Sequence, residues 1–167
     1  MKYWSAYCAV TQKLVKLGLI LAGICIIILS ALIGTEVFLR NFFDSSTLIA
    51  DEYAGYLCAA MTFFGGAYAL ESGSFIRVDL LYMHFKGKVK FVADIFCIIT
   101  AMAFLLCLLY YCAALVMQSY HGHVASIYIS RTPLAIPQAS LILGTFVMIL
   151  AVIKEAGTLL IESFRRK

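Results

Sequence analysis

The sequence predicts an all-α integral membrane protein with four transmembrane helices, and three observations support this prediction. Of the 167 residues, 63% are hydrophobic and only 13% are charged, whereas soluble domains are roughly 45–50% apolar and about 25% charged. Four long stretches contain no Asp, Glu, Lys, Arg or His, and Lys and Arg concentrate in alternate segments between them. A soluble domain of this size cannot bury so much apolar surface. The composition therefore argues against a soluble enzyme, a nucleic-acid-binding protein and a disordered regulator.

The uncharged stretches cover residues 17–35, 53–70, 95–120 and 132–153. Each is close to, or longer than, the ~20 residues that cross the hydrocarbon core of a bilayer. Backbone groups in lipid must satisfy their own hydrogen bonds, and these apolar runs do not alternate as barrel strands would, so each is predicted to be a helix. With the polar end of the first helix included, the predicted spans are 17–39, 53–70, 95–120 and 132–153, within a single four-helix domain over residues 1–167.

The distribution of Lys and Arg predicts the orientation. Eleven of these residues lie in the N-terminal segment, the second connection and the C-terminal segment, and only Arg40 and Arg131 lie on the opposite side. Because cytoplasmic loops carry an excess of Lys and Arg, both termini are predicted to be cytoplasmic. Contact with anionic membrane lipids then explains the net charge of +4, and no nucleic-acid partner is needed.

The segment before the first span carries an apolar stripe at helical spacing. The stripe consists of Tyr3, Tyr7, Val10, Leu14 and Leu17, with Trp4 beside it. This pattern is typical of a helix that lies in the membrane interface. It is equally consistent with a cytoplasmic extension of the first span.

Two prolines stand at the start of the fourth span. We expect Pro133 in the first helical turn, where its missing N–H matters least. Pro137 could kink the helix one turn further in.

Small residues recur four apart within the spans. The pairs are Gly18 with Ala22, Ser30 with Gly34, Gly55 with Ala59, and Gly65 with Ala69. Such spacing lets helices approach closely, and it weakly favours contacts with a partner.

Charged residues near the outer ends of the first two spans are the candidate functional residues. Glu36 and Arg40 lie four apart and so share one helix face, whereas Asp51 and Glu52 open the second span, where carboxylates complement the helix dipole. Glu36 could be a proton or cation site, and the alternative is an interfacial ion pair that sets the depth of the helix. We expect Arg40 to pair with Glu36 or Glu52 and to hold these helix ends together.

Residues suited to metal, haem or nucleotide chemistry are sparse. His121 and His123 could supply two ligands, but no further ligand is evident near them, and a metal site needs its full ligand count. The spans contain no His, which argues against a haem held by paired helix histidines, and the chain has no Gly-x-x-x-x-Gly-Lys motif. No catalytic, cofactor-binding or metal-binding residue is predicted, and the chain is not expected to be an enzyme.

Several motifs follow one another in a recognisable order. Residues 36–43 read Glu-Val-Phe-Leu-Arg-Asn-Phe-Phe, and an acidic pair and Tyr follow at 51–53. Residues 62–69 read Thr-Phe-Phe-Gly-Gly-Ala-Tyr-Ala, and residues 73–81 read Gly-Ser-Phe-Ile-Arg-Val-Asp-Leu-Leu. Together with the spacing of Pro133 and Pro137, this order resembles the small membrane subunit of tripartite ATP-independent periplasmic (TRAP) transporters. The chain departs from the family at Phe75, where the family often has His.

The resemblance implies a bacterial inner-membrane subunit that pairs with a large multi-spanning membrane subunit and is served by a periplasmic substrate-binding protein. Such systems take up an organic acid, such as a dicarboxylate or sialic acid, and are driven by an ion gradient, typically sodium. The substrate and ion sites would lie in the large subunit, which this chain would brace while helping to receive the binding protein. Arg77 and Asp79 in the second loop then join the outer charged residues as candidate partner contacts.

Two other classes of function are possible alternatives. A self-sufficient four-helix exporter would use Glu36 for proton coupling, but small exporters that assemble in opposed orientations need a weak charge bias, unlike the one found here. A redox subunit linked to quinone would need paired histidines, a Cys-x-x-Cys motif or a carboxylate cluster at depth, and the spans contain none of these.

Overall fold

The computed structural model describes residues 2–72 and 88–165. Within these ranges the chain forms four α-helices, which are α1 (Lys2–Phe43), α2 (Ala50–Glu71), α3 (Lys88–His121) and α4 (Ala135–Arg165). Each predicted span falls on a different helix, and the all-α fold is confirmed. By length and composition, α1, α3 and α4 are apolar enough to cross a membrane.

The second helix is the least apolar of the four. Its 22 residues are long enough to cross a bilayer core, but its first turn carries Asp51 and Glu52 and its middle is rich in Ala, Gly and Tyr. α2 packs against both α1 and α4, whereas α3 packs mainly against α4. A helix with neighbours on two sides presents less surface to lipid and can therefore tolerate smaller and more polar side chains.

The N-terminal segment is continuous with the first span. α1 runs without a break for 42 residues, about 63 Å at 1.5 Å per residue, so the structure shows the extension rather than a separate interfacial helix. The predicted stripe is not the buried face, since Val10 and Leu17 are more than half exposed. Thr11 and Val15 are buried instead, and the Tyr7 hydroxyl donates to the backbone oxygen of Leu150 in α4 at 2.9 Å.

Close contacts between helices use some of the predicted small residues. A Cβ atom placed on Gly18 would lie 2.9 Å from the backbone oxygen of Phe64, and one placed on Gly65 would lie 3.6 Å from the side chain of Ala22. The pairs around Gly18 and Gly65 therefore bring α1 and α2 together within this chain. Gly34 and Gly55, by contrast, face open space.

The structure places both prolines at positions that differ from the prediction. Pro133 precedes α4 and forms an isolated bridge with Ala125, and Pro137 is the third residue of the helix. Pro137 thus occupies the first turn, where no intrahelical partner is required for its nitrogen. The expectations of Pro133 within the helix and of a kink one turn further in were wrong.

Candidate functional site

Glu36 is the centre of a polar cluster near the C-terminal end of α1. The residue is 6% exposed, and its carboxylate accepts hydrogen bonds from the hydroxyls of Ser46 and Thr47 and from the backbone N–H of Thr47 at 3.0 Å. Arg40 Nε donates to the same carboxylate at 2.8 Å. Glu36 therefore ties the connection between α1 and α2, residues 44–49, to the side of α1.

Arg40 lies in the last turn of α1, with its side chain directed towards the first turn of α2. The Arg40 guanidinium contacts Glu36 and also lies 3.9 Å from Asp51 Oδ2. The side chains of Arg40 and Asp51 are both more than half exposed. An ion pair at this separation and exposure contributes little, because water and salt screen it. Of the two partners expected for Arg40, the structure places Glu36 beside it and gives Glu52 other partners.

Glu52 makes the corresponding contact with the connection between α3 and α4. The residue is 5% exposed, and its carboxylate accepts hydrogen bonds from the Tyr56 hydroxyl at 2.8 Å and the Ser130 hydroxyl at 2.5 Å. Tyr53 reinforces this contact, with its hydroxyl 3.1 Å from Thr132 Oγ1. The connection between α3 and α4 is thereby held against the first turn of α2.

The carboxylates of Glu36 and Glu52 are held in the same way: hydroxyl groups from a loop donate hydrogen bonds to a buried carboxylate on a helix. Buried charges require such partners, because leaving their oxygens without hydrogen bonds is costly. Sequence reasoning identified the carboxylates but missed Ser46, Thr47 and Ser130. The available signal was the concentration of hydroxyl residues at 45–47 and 130–132, directly beside helix ends that carry acidic residues.

A further ion pair lies at the opposite end of α2, and sequence reasoning missed it too. Lys154 of α4 donates to Glu71 at the end of α2, and their side chains are only 14% and 21% exposed. The charge count treated Lys154 only as part of the cytoplasmic Lys and Arg excess. The ion pair of Lys154 with Glu71 joins the end of α2 to the interior of α4.

The remaining candidates contribute no assembled chemistry within the described part of the chain. Arg77 and Asp79 lie outside the described residues. His121 ends α3, and His123 lies in the loop that follows. Among residues 2–72 and 88–165, no three His, Cys, Asp or Glu side chains are grouped as a metal site would require.

Long apolar helices with their charges gathered at the helix ends define a helical membrane protein. The family model described as tripartite ATP-independent periplasmic transporters, DctQ component, matches residues 29–161. The chain belongs to this family and is therefore the small membrane subunit of a TRAP transporter rather than an enzyme. A search of curated proteins gave no match.

Proposed function

We propose that this subunit braces the large multi-spanning membrane subunit of its transporter and helps to receive the periplasmic substrate-binding protein. The complex takes up an organic acid, such as a dicarboxylate or sialic acid, and an ion gradient, most simply that of sodium, drives the uptake. The chain lies in the bacterial inner membrane with both termini in the cytoplasm. The outer charged residues, together with Arg77 and Asp79, serve the contacts between subunits.

Two observations on the charged side chains support this role: where they are absent, and how the carboxylates of Glu36 and Glu52 are hydrogen-bonded. The uncharged stretches contain no Asp, Glu, Lys, Arg or His, and transport sites for ions and carboxylates are usually built from such groups. The carboxylates of Glu36 and Glu52 are already occupied by hydroxyl groups from the loops. The chemistry of substrate and ion binding then belongs to the partner subunit.

The exporter alternative requires Glu36 to exchange protons or bind a cation. Both of its carboxylate oxygens already accept hydrogen bonds, and Arg40 supplies the opposite charge. A carboxylate in this position is stabilised as a fixed anion. These contacts favour a structural role over proton coupling.

Co-purification tests the proposal directly. The chain is tagged at its C-terminus, extracted with a native-membrane polymer, and its companions are identified and quantified by mass spectrometry. We expect a large multi-spanning subunit at equal abundance. A stable homo-oligomer without a companion would overturn the accessory role and make Glu36 the first residue to test for transport.

A further inference from the structure

The third helix has one packed face and one open face. α3 packs mainly against α4, through residues that include Leu105 and Leu109. On the open side, Tyr110 and Tyr111 are 71% and 65% exposed, and their ring centroids lie 5.5 Å apart. Within the described part of the chain, neither phenol hydroxyl has a hydrogen-bond partner.

The position of these two tyrosines in the sequence is unusual. Both lie at least nine residues from either end of the uncharged stretch 95–120. The other tyrosines of the chain lie outside the uncharged stretches or within three residues of their ends. Tyr is enriched at membrane–water interfaces, where its hydroxyl meets polar headgroups and water. Tyr110 and Tyr111 have no such surroundings if they lie deep in the membrane.

The packing of α3 on α4 gives the depth of the two tyrosines. The backbone N–H of Leu134, directly before α4, donates to the oxygen of Val124, just beyond the end of α3, so the two helices run antiparallel. Leu105 of α3 lies in one buried cluster with Ile149 and Val152 of α4. Positions that follow Leu105 are therefore level with positions that precede this part of α4.

Tyr110 follows Leu105 by five residues and is level with residues 144–147 of α4. At 1.5 Å per residue, this level is about 14–18 Å from Ala135 at the start of α4 and about 10–15 Å from Lys154. Because the hydrocarbon core is ~30 Å thick, both phenols lie near its middle. A single ring is too short to reach the interface from there.

Lipid cannot meet the hydrogen-bonding requirement of these hydroxyl groups. Acyl chains carry no acceptor, and a hydroxyl group in an apolar medium without a hydrogen bond is strongly disfavoured. Polar groups in the hydrocarbon must therefore find partners within protein. Neighbouring transmembrane helices provide them, because Ser, Thr, Asn and Gln side chains form hydrogen bonds between helices. The requirement favours a protein helix over lipid on this side of α3.

Small residues on the same face of α3 would let such a helix approach closely. Ala103, Cys107 and Ala114 lie seven, three and four residues from Tyr110, spacings that place them on its side of the helix. All three are exposed. Small residues are enriched where membrane helices pack together, since they let the backbones come near.

We propose that this face of α3, formed by Ala103, Cys107, Tyr110, Tyr111 and Ala114, packs against a transmembrane helix of the large membrane subunit. That helix presents acceptor groups near the middle of the membrane, and the two phenols donate to them. The proposal rests on the proposed function, in which the large subunit is the partner of this chain. It adds a contact at depth to the contacts of the charged residues at the helix ends.

Site-specific photo-crosslinking tests the identity of the partner. Benzoylphenylalanine replaces Tyr111 in cells that express the complete transporter, and the chain is purified by a C-terminal tag after illumination. We expect a covalent adduct with the large subunit, which peptide mass spectrometry locates on one of its transmembrane helices. Adducts with a second copy of this chain, or with lipid alone, would overturn the proposal.

A matched set of substitutions tests the hydroxyl groups. Tyr110→Phe combined with Tyr111→Phe keeps both rings and removes both hydroxyls. An interhelical hydrogen bond in a membrane shifts an equilibrium about threefold on average. The double variant should therefore retain several-fold less large subunit than the wild-type chain as the concentration of sodium dodecyl sulfate is raised. Equal retention would show that the phenols donate no hydrogen bond to the partner and would overturn the proposal.

Tyr120→Phe is the control for this experiment. Tyr120 lies on the same helix and is 69% exposed, but it stands at the end of the uncharged stretch, where water and headgroups serve its hydroxyl. Its loss should leave the retention of the large subunit unchanged. A loss as large as that of the double variant would contradict a special role for depth.

Recovery of the large subunit by the tag separates this proposal from the proposed function. A large subunit that co-purifies at equal abundance without any cross-link from residue 111 would reject this face of α3 and leave the accessory role intact. A wild-type chain that recovers no large subunit would reject both.

Discussion

At the scale of single residues, the hydroxyl groups around Glu36 make its negative charge a structural element. Ser46 and Thr47 both donate to this carboxylate, as does Arg40. An amide in its place would offer one acceptor oxygen and would direct N–H groups at donors. The connection between α1 and α2 would then lose its attachment to α1.

We therefore expect Glu36→Gln to loosen that connection and to reduce the yield of assembled transporter. The yield is measured by co-purification of the large subunit, and the loosening by faster proteolysis within residues 44–49. Asp51→Asn is the matched control, because Asp51 is an exposed carboxylate 3.9 Å from Arg40 and contributes little to stability. Equal effects of the two substitutions would show that net charge, rather than the hydrogen bonds of Glu36, matters.

The sequence predicts contacts between residues that are close in the chain better than contacts between residues that are far apart in it. The contact between Glu36 and Arg40 follows from helical spacing, which places residues four apart on one face. The contact between Glu52 and Ser130 joins residues 78 apart in the chain. It depends on the path of the connection between α3 and α4, which no periodic pattern encodes.

At the scale of helices, the ion pair of Glu71 and Lys154 joins the end of α2 to the interior of α4. Removing one partner of a buried pair leaves an uncompensated charge, which costs about 3–5 kcal/mol for full burial. Because these side chains are 14% and 21% exposed, we expect Lys154→Met to destabilise the fold by about 3 kcal/mol, at the lower end of that range. Unfolding in detergent is followed by the fluorescence of Trp4, which packs against Gly157 of α4 and is the only Trp of the chain.

The double substitution Lys154→Met with Glu71→Leu should recover most of the lost stability. Replacing both charges with apolar groups of similar size is often neutral. Lys13→Met, on an exposed position of α1, should leave the unfolding midpoint unchanged. A double variant no more stable than Lys154→Met alone would show that packing, rather than the unpaired carboxylate, causes the loss.

Two glycines of α1 provide a second matched test at this scale. A methyl group on Gly18 would meet the backbone of Phe64 at 2.9 Å, whereas nothing lies within 4 Å of the corresponding position on Gly23. We expect Gly18→Ala to force α1 and α2 apart and to cost about 1–3 kcal/mol, because the backbone of Phe64 cannot turn aside. Gly23→Ala should be neutral or stabilising by up to about 1 kcal/mol, since Ala favours the helix.

The measurement for both variants is unfolding by sodium dodecyl sulfate, monitored by helical circular dichroism. A Gly18→Ala protein as stable as Gly23→Ala would contradict the close approach of α1 and α2.

The helices themselves were predictable because lipid imposes one requirement along each span, namely about 20 uncharged residues in a helix. Their ends were less predictable. α1 extends back to Lys2 because Trp4 and Tyr7 pack on α4, and that contact depends on the position of a helix more than 100 residues away. The same lack of local signal explains why Pro133 was expected inside α4.

At the scale of the whole molecule, the distribution of Lys and Arg makes a prediction about orientation. Eleven of these residues are expected on the cytoplasmic side and two on the other, a bias that favours one orientation in the membrane. The test uses a variant in which all six native cysteines are replaced, with one new cysteine at either Ile127 or Lys13. Ile127 is 98% exposed in the connection between α3 and α4, and Lys13 lies on the N-terminal part of α1.

We expect a membrane-impermeant maleimide to label Ile127→Cys in intact spheroplasts and to label Lys13→Cys only after the membrane is permeabilised. Exposure of both sites without permeabilisation would mean that the chain inserts in two opposed orientations, as some small exporters do. That result would favour the exporter. Labelling of Ile127→Cys alone would instead place the loops held by Glu36 and Glu52 on the side from which a periplasmic binding protein approaches.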